Sequence, residues 1–397
     1  MSALKRKPAA GGLTSAGIYV HVPFCRTPKC AYCDFYSEAC DRTLVRRFTT
    51  ALADEFTAAL EDPYWRSVKV GSVFFGGGTP SLLEAVIVAE WIGHFRRGLV
   101  FAADAEITLE CNPEDLSPAK AGELLALGVN RLSVGCQSFA PAVLEALGRC
   151  HSSSSARRAL EVAAGAGFSR LSADLIIASP GSSAATTLFS IEAALELKVE
   201  HLSIYGFHLE PGAAGWGRTG YEPVAEEAFG EQYLAACSRL ADEGWRHYEI
   251  SNWARDDRAL CRHNLGYWRR RPYLGLGPSA HSFIPENHRF WNLPDLDLYL
   301  ESGAQGAWEK ARAGETLTAG QIALEKIMLA LRLDTGLSGS EPARFAGAVS
   351  PIAIEELVQE SLLRRDNATG AASLSAEGFL VYDSVVSRLA DDRKVSA

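Results

Sequence analysis

Compact apolar runs and helically spaced apolar residues take turns along the first two hundred residues. The runs at 18–22, 68–75, 105–111, 131–135, 171–178 and 201–207 are short and rich in aliphatic side chains, and several end at Gly, Pro or Asn. Those features predict buried strands. Between them Leu44, Phe48, Leu52, Phe56 and Leu60 recur every fourth position, which predicts a helix over 42–61. Comparable spacing predicts helices over 82–95, from Asn112-Pro113 to Leu127, and over 140–147, 155–166 and 185–197. Strand and helix alternate about six times, the pattern of a parallel α/β barrel or open sheet.

Past the sixth strand the pattern changes. Residues 251–315 are rich in Trp, Tyr and Arg, and from 316 the chain reads as short helices (322–333, 342–348, 352–361). A short strand at 371–374 and a last helix over 376–389 follow, together a small winged-helix-type α+β unit. The expected domains are a tail over 1–17, a barrel over 18–250, a connecting segment over 251–315 and a C-terminal unit over 316–397. In 397 residues there is room for a barrel and a smaller domain, and 47% apolar residues can fill both cores.

Charge and cysteine usage narrow the function. Thirty-nine basic residues against 48 acidic ones give a net charge of −9, which argues against a nucleic-acid partner. No apolar run is long enough for a membrane span, and the charged first residues lack a signal-peptide core. Nine cysteines without a secretion signal point to a reducing, cytoplasmic setting. Cys111, Cys136, Cys150 and Cys237 fall in core-like stretches and read as small hydrophobes.

Chemistry in such folds gathers at the carboxyl ends of the strands. Cys25, Cys30 and Cys33 follow the first strand, and three thiols so close can meet one inorganic centre. An iron–sulfur cubane with one open iron is one reading. A zinc site completed by His21 or Cys40, or three separate thiols, are others. Gly76-Gly77-Gly78-Thr79-Pro80 after the second strand brings bare backbone near a ligand, or simply turns tightly. Glu110, Gln137 and Asp174 lie at the ends of strands three, four and five.

The lead-in Tyr19-Val20-His21-Val22-Pro23-Phe24-Cys25 and the close Cys30-Ala31-Tyr32-Cys33-Asp34-Phe35 resemble the radical S-adenosylmethionine (SAM) superfamily. More narrowly, they are similar to the anaerobic coproporphyrinogen oxidase family with its HemW-like haem-chaperone branch. That likeness implies a partial (β/α)6 barrel and a [4Fe–4S] cluster on Cys25, Cys30 and Cys33. It implies SAM contacts at Tyr19, Tyr32, Gly77, Gly78, Thr79, Glu110, Gln137, Arg149 and Asp174, and reductive cleavage of SAM to a 5′-deoxyadenosyl radical. Two departures stand out. Four residues, Arg26 to Lys29, separate the first two cysteines where the family has three, a bulge that Pro28 helps to shape. Ala178-Ser179-Pro180-Gly181 stands where the family has Gly-Leu-Pro-Gly.

His263-Asn264-Leu265-Gly266-Tyr267-Trp268 matches the His-Asn-x-x-Tyr-Trp element of the HemW-like branch, which makes His263, Cys261, Tyr267 and Trp268 haem candidates. By residue chemistry alone these aromatics are ordinary core material. The oxidase itself carries a fourth cysteine two residues after the third, where this chain has Phe35, and a longer leader than the 17 residues before Ile18. The resemblance therefore implies a haem carrier with an acceptor protein and a one-electron donor of flavodoxin or ferredoxin type. The alternatives are a radical SAM oxidase or methylase, and a non-catalytic zinc or thiol protein.

Overall fold

The structure, a computed structural model, describes residues 13–27, 29–211, 213–217, 221, 225–285, 287–337 and 349–390. Six parallel strands lie side by side in chain order: β1 (Thr14–Val22), β2 (Val68–Gly77), β3 (Val100–Cys111), β4 (Arg131–Gln137), β5 (Leu171–Ile177) and β6 (His201–Gly206). Helices Arg42–Ala59, Ala85–Gly98, Pro118–Ala126, Ser153–Ala166 and Ala184–Glu196 occupy the connections. Asp41, Ser117, Ser152 and Ser183 cap four of them by accepting from first-turn amides. The alternation expected from the apolar pattern is the one observed.

Each strand has two different faces. Val73, Phe75, Ile107, Leu109, Leu132, Val134, Ala173 and Leu202 form one face, buried in the main core with helix residues such as Phe95 and Leu160. The other face is polar and also buried, with Ser72, Glu106, Thr108, Arg131, Ser133, Ser172, His201 and Ser203. Period two in the strand backbone sorts these residues to the barrel interior. Buried polar groups need partners, and most of these find one another, Thr108 Oγ1 and Arg131 Nε being exceptions among the described residues. Ser133 and Ser172 donate to Asp174, Ser172 meets His201 Nδ1 at 2.8 Å, and His201 Nε2 meets the Tyr248 hydroxyl at 2.9 Å.

A parallel sheet of six strands has two open edges, and the segment 251–315 covers both. It is part of the sheet rather than a connector beside it. Further strands are β7 (Arg246–Glu249), β8 (Asn252–Ala254), β9 (Tyr273–Leu276), β10 (His281–Ile284), β11 (His288–Asn292) and β12 (Arg312–Thr316). The sheet order is β12-β11-β10-β9-β1-β2-β3-β4-β5-β6-β8-β7. β8 pairs antiparallel with β6, and β9 pairs parallel with β1. Edge strands are thereby paired where they would otherwise expose a ladder. The expected tail also shortens. β1 begins at Thr14, paired with Val68, while residues 1–12 of that tail lie outside the described residues.

Between β8 and β9 the chain crosses from one edge to the other, and on the way it forms the helix Arg262–Trp268. Glu106, fully buried on β3, fixes the start of that helix. Its carboxylate accepts from the Arg262 amide at 3.1 Å, the His263 amide at 3.0 Å and the Cys261 thiol at 3.8 Å. Arg170 lies 3.6 Å from it. An acceptor at the first turn satisfies amides that have no intrahelical partner.

The C-terminal unit has the helix Ala319–Leu331, the helix Pro351–Gln359, a hairpin of Leu363–Arg365 with Ala372–Leu374, and helices Ala376–Leu380 and Tyr382–Leu389. The single last helix expected over 376–389 breaks at Val381. The helix expected over 342–348 lies outside the described residues.

Two substitutions test these supports. Glu106→Ala strands the buried His263 amide and the half-buried Arg262 amide and leaves Arg170 without its carboxylate, and a loss of about 3–5 kcal/mol is expected in urea unfolding; a loss under about 1 kcal/mol would show that the helix is held otherwise. Ala178, where the family pattern has glycine, sits at φ 54°, a left-handed conformation that a Cβ disfavours by about 1–2 kcal/mol. Its amide donates to Gln232 Oε1 at 2.9 Å, which holds the turn. Ala178→Gly should raise stability by up to about 1 kcal/mol by the same assay, and a decrease would contradict the strain.

Candidate functional site

The carboxyl ends of the six parallel strands surround a cavity of about 490 Å³, within the range of small-molecule sites. The cysteine loop forms one wall. His21 anchors it from below: its Nε2 lies 2.8 Å from the Tyr36 carbonyl and its Nδ1 lies 3.1 Å from the Tyr19 hydroxyl. Burial, the dominant cause, drives this imidazole down to about 4, so it is neutral. With both nitrogens engaged, His21 is not available as a fourth metal ligand. Cys40 is exposed, and its amide donates to the Cys25 carbonyl at the end of a short parallel pairing of Phe24–Cys25 with Glu38–Ala39.

The glycine loop crosses directly over the entry to the cysteine loop. Gly78 donates its amide to the Val22 carbonyl at 2.9 Å, and Thr79 donates to the Phe24 carbonyl at 2.7 Å. A Cβ on Gly78 would stand 2.5 Å from the Phe24 oxygen, and one on Gly77 (φ 100°) would strike the His21 ring. These glycines are therefore required by protein neighbours. With the amides engaged, the loop can offer a ligand carbonyl oxygens and the Thr79 hydroxyl, which lies 3.3 Å from Cys25 Sγ. Such acceptors suit an ammonium.

Two carboxyl groups and two guanidinium groups face the same space. Glu110 is pushed from 4.5 up to about 8, first by loss of water and then by Asp174 across the cavity. Asp174 is also raised by burial, while Ser203 and Ser133 hydrogen bonds oppose the shift. Arg131 is 2% exposed, lines the cavity, and among the described residues its Nε has no hydrogen-bond partner. Arg149 donates to Cys30 Sγ at 3.0 Å, to Asn112 Oδ1 at 2.8 Å and to the Tyr32 hydroxyl at 3.4 Å. Gln137 closes β4 at φ 62°, in a tight turn where Ser138 N reaches back to the Cys136 carbonyl at 2.7 Å. Strained backbone of this kind clusters at ligand sites.

Of the residues singled out from the sequence, Cys25, Cys30, Cys33, Tyr32, Gly77, Gly78, Thr79, Glu110, Gln137, Arg149 and Asp174 line this one cavity. Tyr19 does not, and instead supports His21 and packs 6.3 Å from Phe74. Cys150, expected in the core, is exposed on the rim. Arg131, Asn112, Ser203 and Tyr205, not singled out from the sequence, also line the cavity, as does Asn264 of the His-Asn-x-x-Tyr-Trp element; period two within their strands is the signal that would have found Arg131 and Ser203. Pro28 lies outside the described residues.

The haem candidates sit at the opposite end. His263 is 3% exposed, with Nδ1 2.9 Å from Ser72 Oγ and Nε2 2.7 Å from the Tyr267 hydroxyl, and it stacks on Phe74 at 5.1 Å. Burial pushes it down to about 3. Cys261 is buried against Glu106, and Trp268 lies under the Arg332 guanidinium. In this arrangement neither His263 nitrogen is open to an iron. Asn264, on the same helix, reaches the large cavity, whereas His263 and Tyr267 line a separate cavity of about 310 Å³.

Comparison with known proteins decides the family. The Radical SAM superfamily matches residues 19–192. Heme chaperone HemW of Mycobacterium tuberculosis is 36% identical over 382 residues, spanning 94% of both chains. Heme chaperone HemW of Bacillus subtilis is 32% identical over 377 residues, covering 92% of this chain and 97% of its own. This chain belongs to the HemW family of radical SAM proteins. Coproporphyrinogen III oxidase (HemN) from Escherichia coli shares the fold, with a TM-score of 0.80 over 97% of this chain and 91% of its own at 21% identity.

The residues of this HemW-family chain fit the groups its superfamily is named for. Among the described residues, no three His, Cys, Asp or Glu side chains are close enough to hold a single metal ion. Cys25, Cys30 and Cys33 nevertheless line one cavity, and in a cubane each cysteine sulfur binds a separate iron, so the three need not meet at one point. Cys33 is raised first by burial, with Cys30 and Cys25 adding to the effect, a strain that a cationic centre would relieve. The cavity also holds carboxyls held back from ionising, which a sulfonium or ammonium would pair.

Glu110 sets a testable pH dependence. The unfolded chain releases this proton near 4.5 and the folded chain near 8. Its contribution to stability is thus complete below about pH 4.5 and is lost as pH rises to about 8. Glu110→Gln should flatten that part of the ligand-free Tm-versus-pH curve and raise Tm at pH 8. An unchanged Tm profile would show that the carboxyl is solvated.

Proposed function

We propose that this chain is a haem chaperone that carries a [4Fe–4S] cluster and SAM at the barrel mouth and passes haem to an acceptor protein. The single observation that carries the reading is the likeness to HemW heme chaperones over 94% of the chain, joined to a cavity that gathers the thiols and ligand groups. Cys25, Cys30 and Cys33 would hold three irons. Thr79 and the carbonyls of Gly77 and Gly78 would take the SAM amino group, Glu110 and Asp174 its cationic and hydroxyl groups, and Gln137 and Arg149 its carboxylate side. When bound, cluster and SAM supply one-electron reductive chemistry, fed by a flavodoxin- or ferredoxin-type donor. Arg149, now on Cys30, would leave that sulfur for the ligand carboxylate. The setting is the cytoplasm; among the described residues no helix is long and apolar enough to cross a membrane.

Porphyrinogen oxidation is the second reading, supported by the shared fold with HemN. Phe35 speaks against it. It stands two residues after Cys33 and is 63% exposed at the cavity, so an apolar ring occupies the place of a thiol.

Anaerobic reconstitution should give about four irons per chain, and an electron paramagnetic resonance signal that shifts when SAM is added. Haem should bind one to one and move to an apo-cytochrome, with coproporphyrinogen unchanged in the same mixture. Zinc in place of iron, or turnover of the porphyrinogen, would reject the proposed function.

A further inference from the structure

Haem binding needs an accessible imidazole or thiolate, an apolar surface for the macrocycle and cations for two carboxylates. Most histidines here are committed to the fold. His21, His151, His201 and His263 are buried, with both ring nitrogens in contact. His247 stacks on Trp253 at 4.1 Å, and His94 lies between Thr57 and Arg97. His281 and His288 stack on Trp291 and Phe290 and do not line the cavity. His208 differs from all of these. It lies just past β6 on the cavity rim, and its side chain is 77% exposed.

Its setting suits a metal ligand. One ring nitrogen, Nε2, lies 3.0 Å from Glu210 Oε1, and among the described residues no contact engages the other. A carboxylate on the far nitrogen orients an imidazole and makes it a better donor to a metal. Phe35 and Tyr205, which line the same cavity as His208, are large side chains exposed at 63% and 44%, and Phe207 lines it too. Apolar surface left in water next to a cavity marks a docking place. Lys29 and Arg26 line the same cavity; Lys29 donates to the Phe35 carbonyl and Arg26 is paired with Asp115, so each would exchange that partner for a ligand carboxylate. Aromatic faces, a carboxylate-backed imidazole and cations together describe the complement of one ligand class, a ferric porphyrin dicarboxylate.

We propose that haem docks at the mouth of the large cavity with His208 as its axial ligand, Phe35 and Tyr205 against the macrocycle and Lys29 toward a propionate. This rests on the haem-chaperone reading above and moves the haem contact from the barrel's amino-terminal end to the end that holds the cysteines. Haem bound there covers the SAM cavity, so cargo and cofactor face each other across it.

Ferric haemin and iron-free protoporphyrin IX, titrated separately into the full chain, separate ligation from docking. His208→Ala should weaken haemin binding at least tenfold and change its Soret band and paramagnetic resonance, leave protoporphyrin affinity unchanged, and recover the wild-type spectrum with added free imidazole. Circular dichroism identical to wild type would show that this exposed residue was removed without damage to the fold. Unaltered haemin affinity and spectrum in a folded His208→Ala chain would overturn the axial assignment alone. Failure of the wild-type chain to bind haemin would overturn the chaperone reading and this inference with it.

Discussion

A barrel of six parallel strands that does not close leaves a gap lined by polar side chains, and everything else depends on how that gap is filled. The filling is the helix Arg262–Trp268, fastened through the buried Glu106 carboxylate to the amides of Arg262 and His263. Removing a carboxylate from water is costly, and the amides of a helix start are among the few neutral groups that offset it. The same helix lends Asn264 to the ligand cavity and His263 to the packing behind it. The element most suggestive of haem in the sequence is thus tied into the barrel's interior.

From that plug a hydrogen-bonded chain runs through the interior to the site. The Cys261 amide donates to the Tyr248 hydroxyl, which meets His201, then Ser172, then Asp174 in the cavity wall. Every member of the chain has a partner, which is what allows so polar an interior to persist. The site end is different. Glu110, Asp174 and Arg131 are held near one another with incomplete pairing, a charge arrangement that lowers the stability of the empty protein and suits a charged ligand.

The fold was legible from apolar spacing because strand and helix periods differ and six alternations leave few topologies. Strand ends were legible to within a few residues: the second strand was expected over 68–75 and runs Val68–Gly77. The site was legible where a motif carries its own reason. Three cysteines at close spacing and a glycine loop at a strand end announce themselves, whereas Arg131 and Asn112 do not, because an arginine or asparagine in a sequence has many fates. In the sequence the Trp- and Tyr-rich segment reads as a connector. Its strands are only three to five residues long, too short for periodicity to register, and their pairing with β1 and β6 is non-local.

Sequence alone determined the order of the elements, the cysteine loop and the family likeness, since all three are written in local spacing and residue type. Tertiary structure alone decided which glycines are there for protein neighbours, which carboxyls resist ionising, and that His263 is enclosed while His208 is open. Those outcomes depend on distances between residues far apart in the chain: Gly78 to Phe24, Glu110 to Asp174, His263 to Ser72. Desolvation and contact act through space, and a linear pattern carries only the part of them that repeats along the backbone.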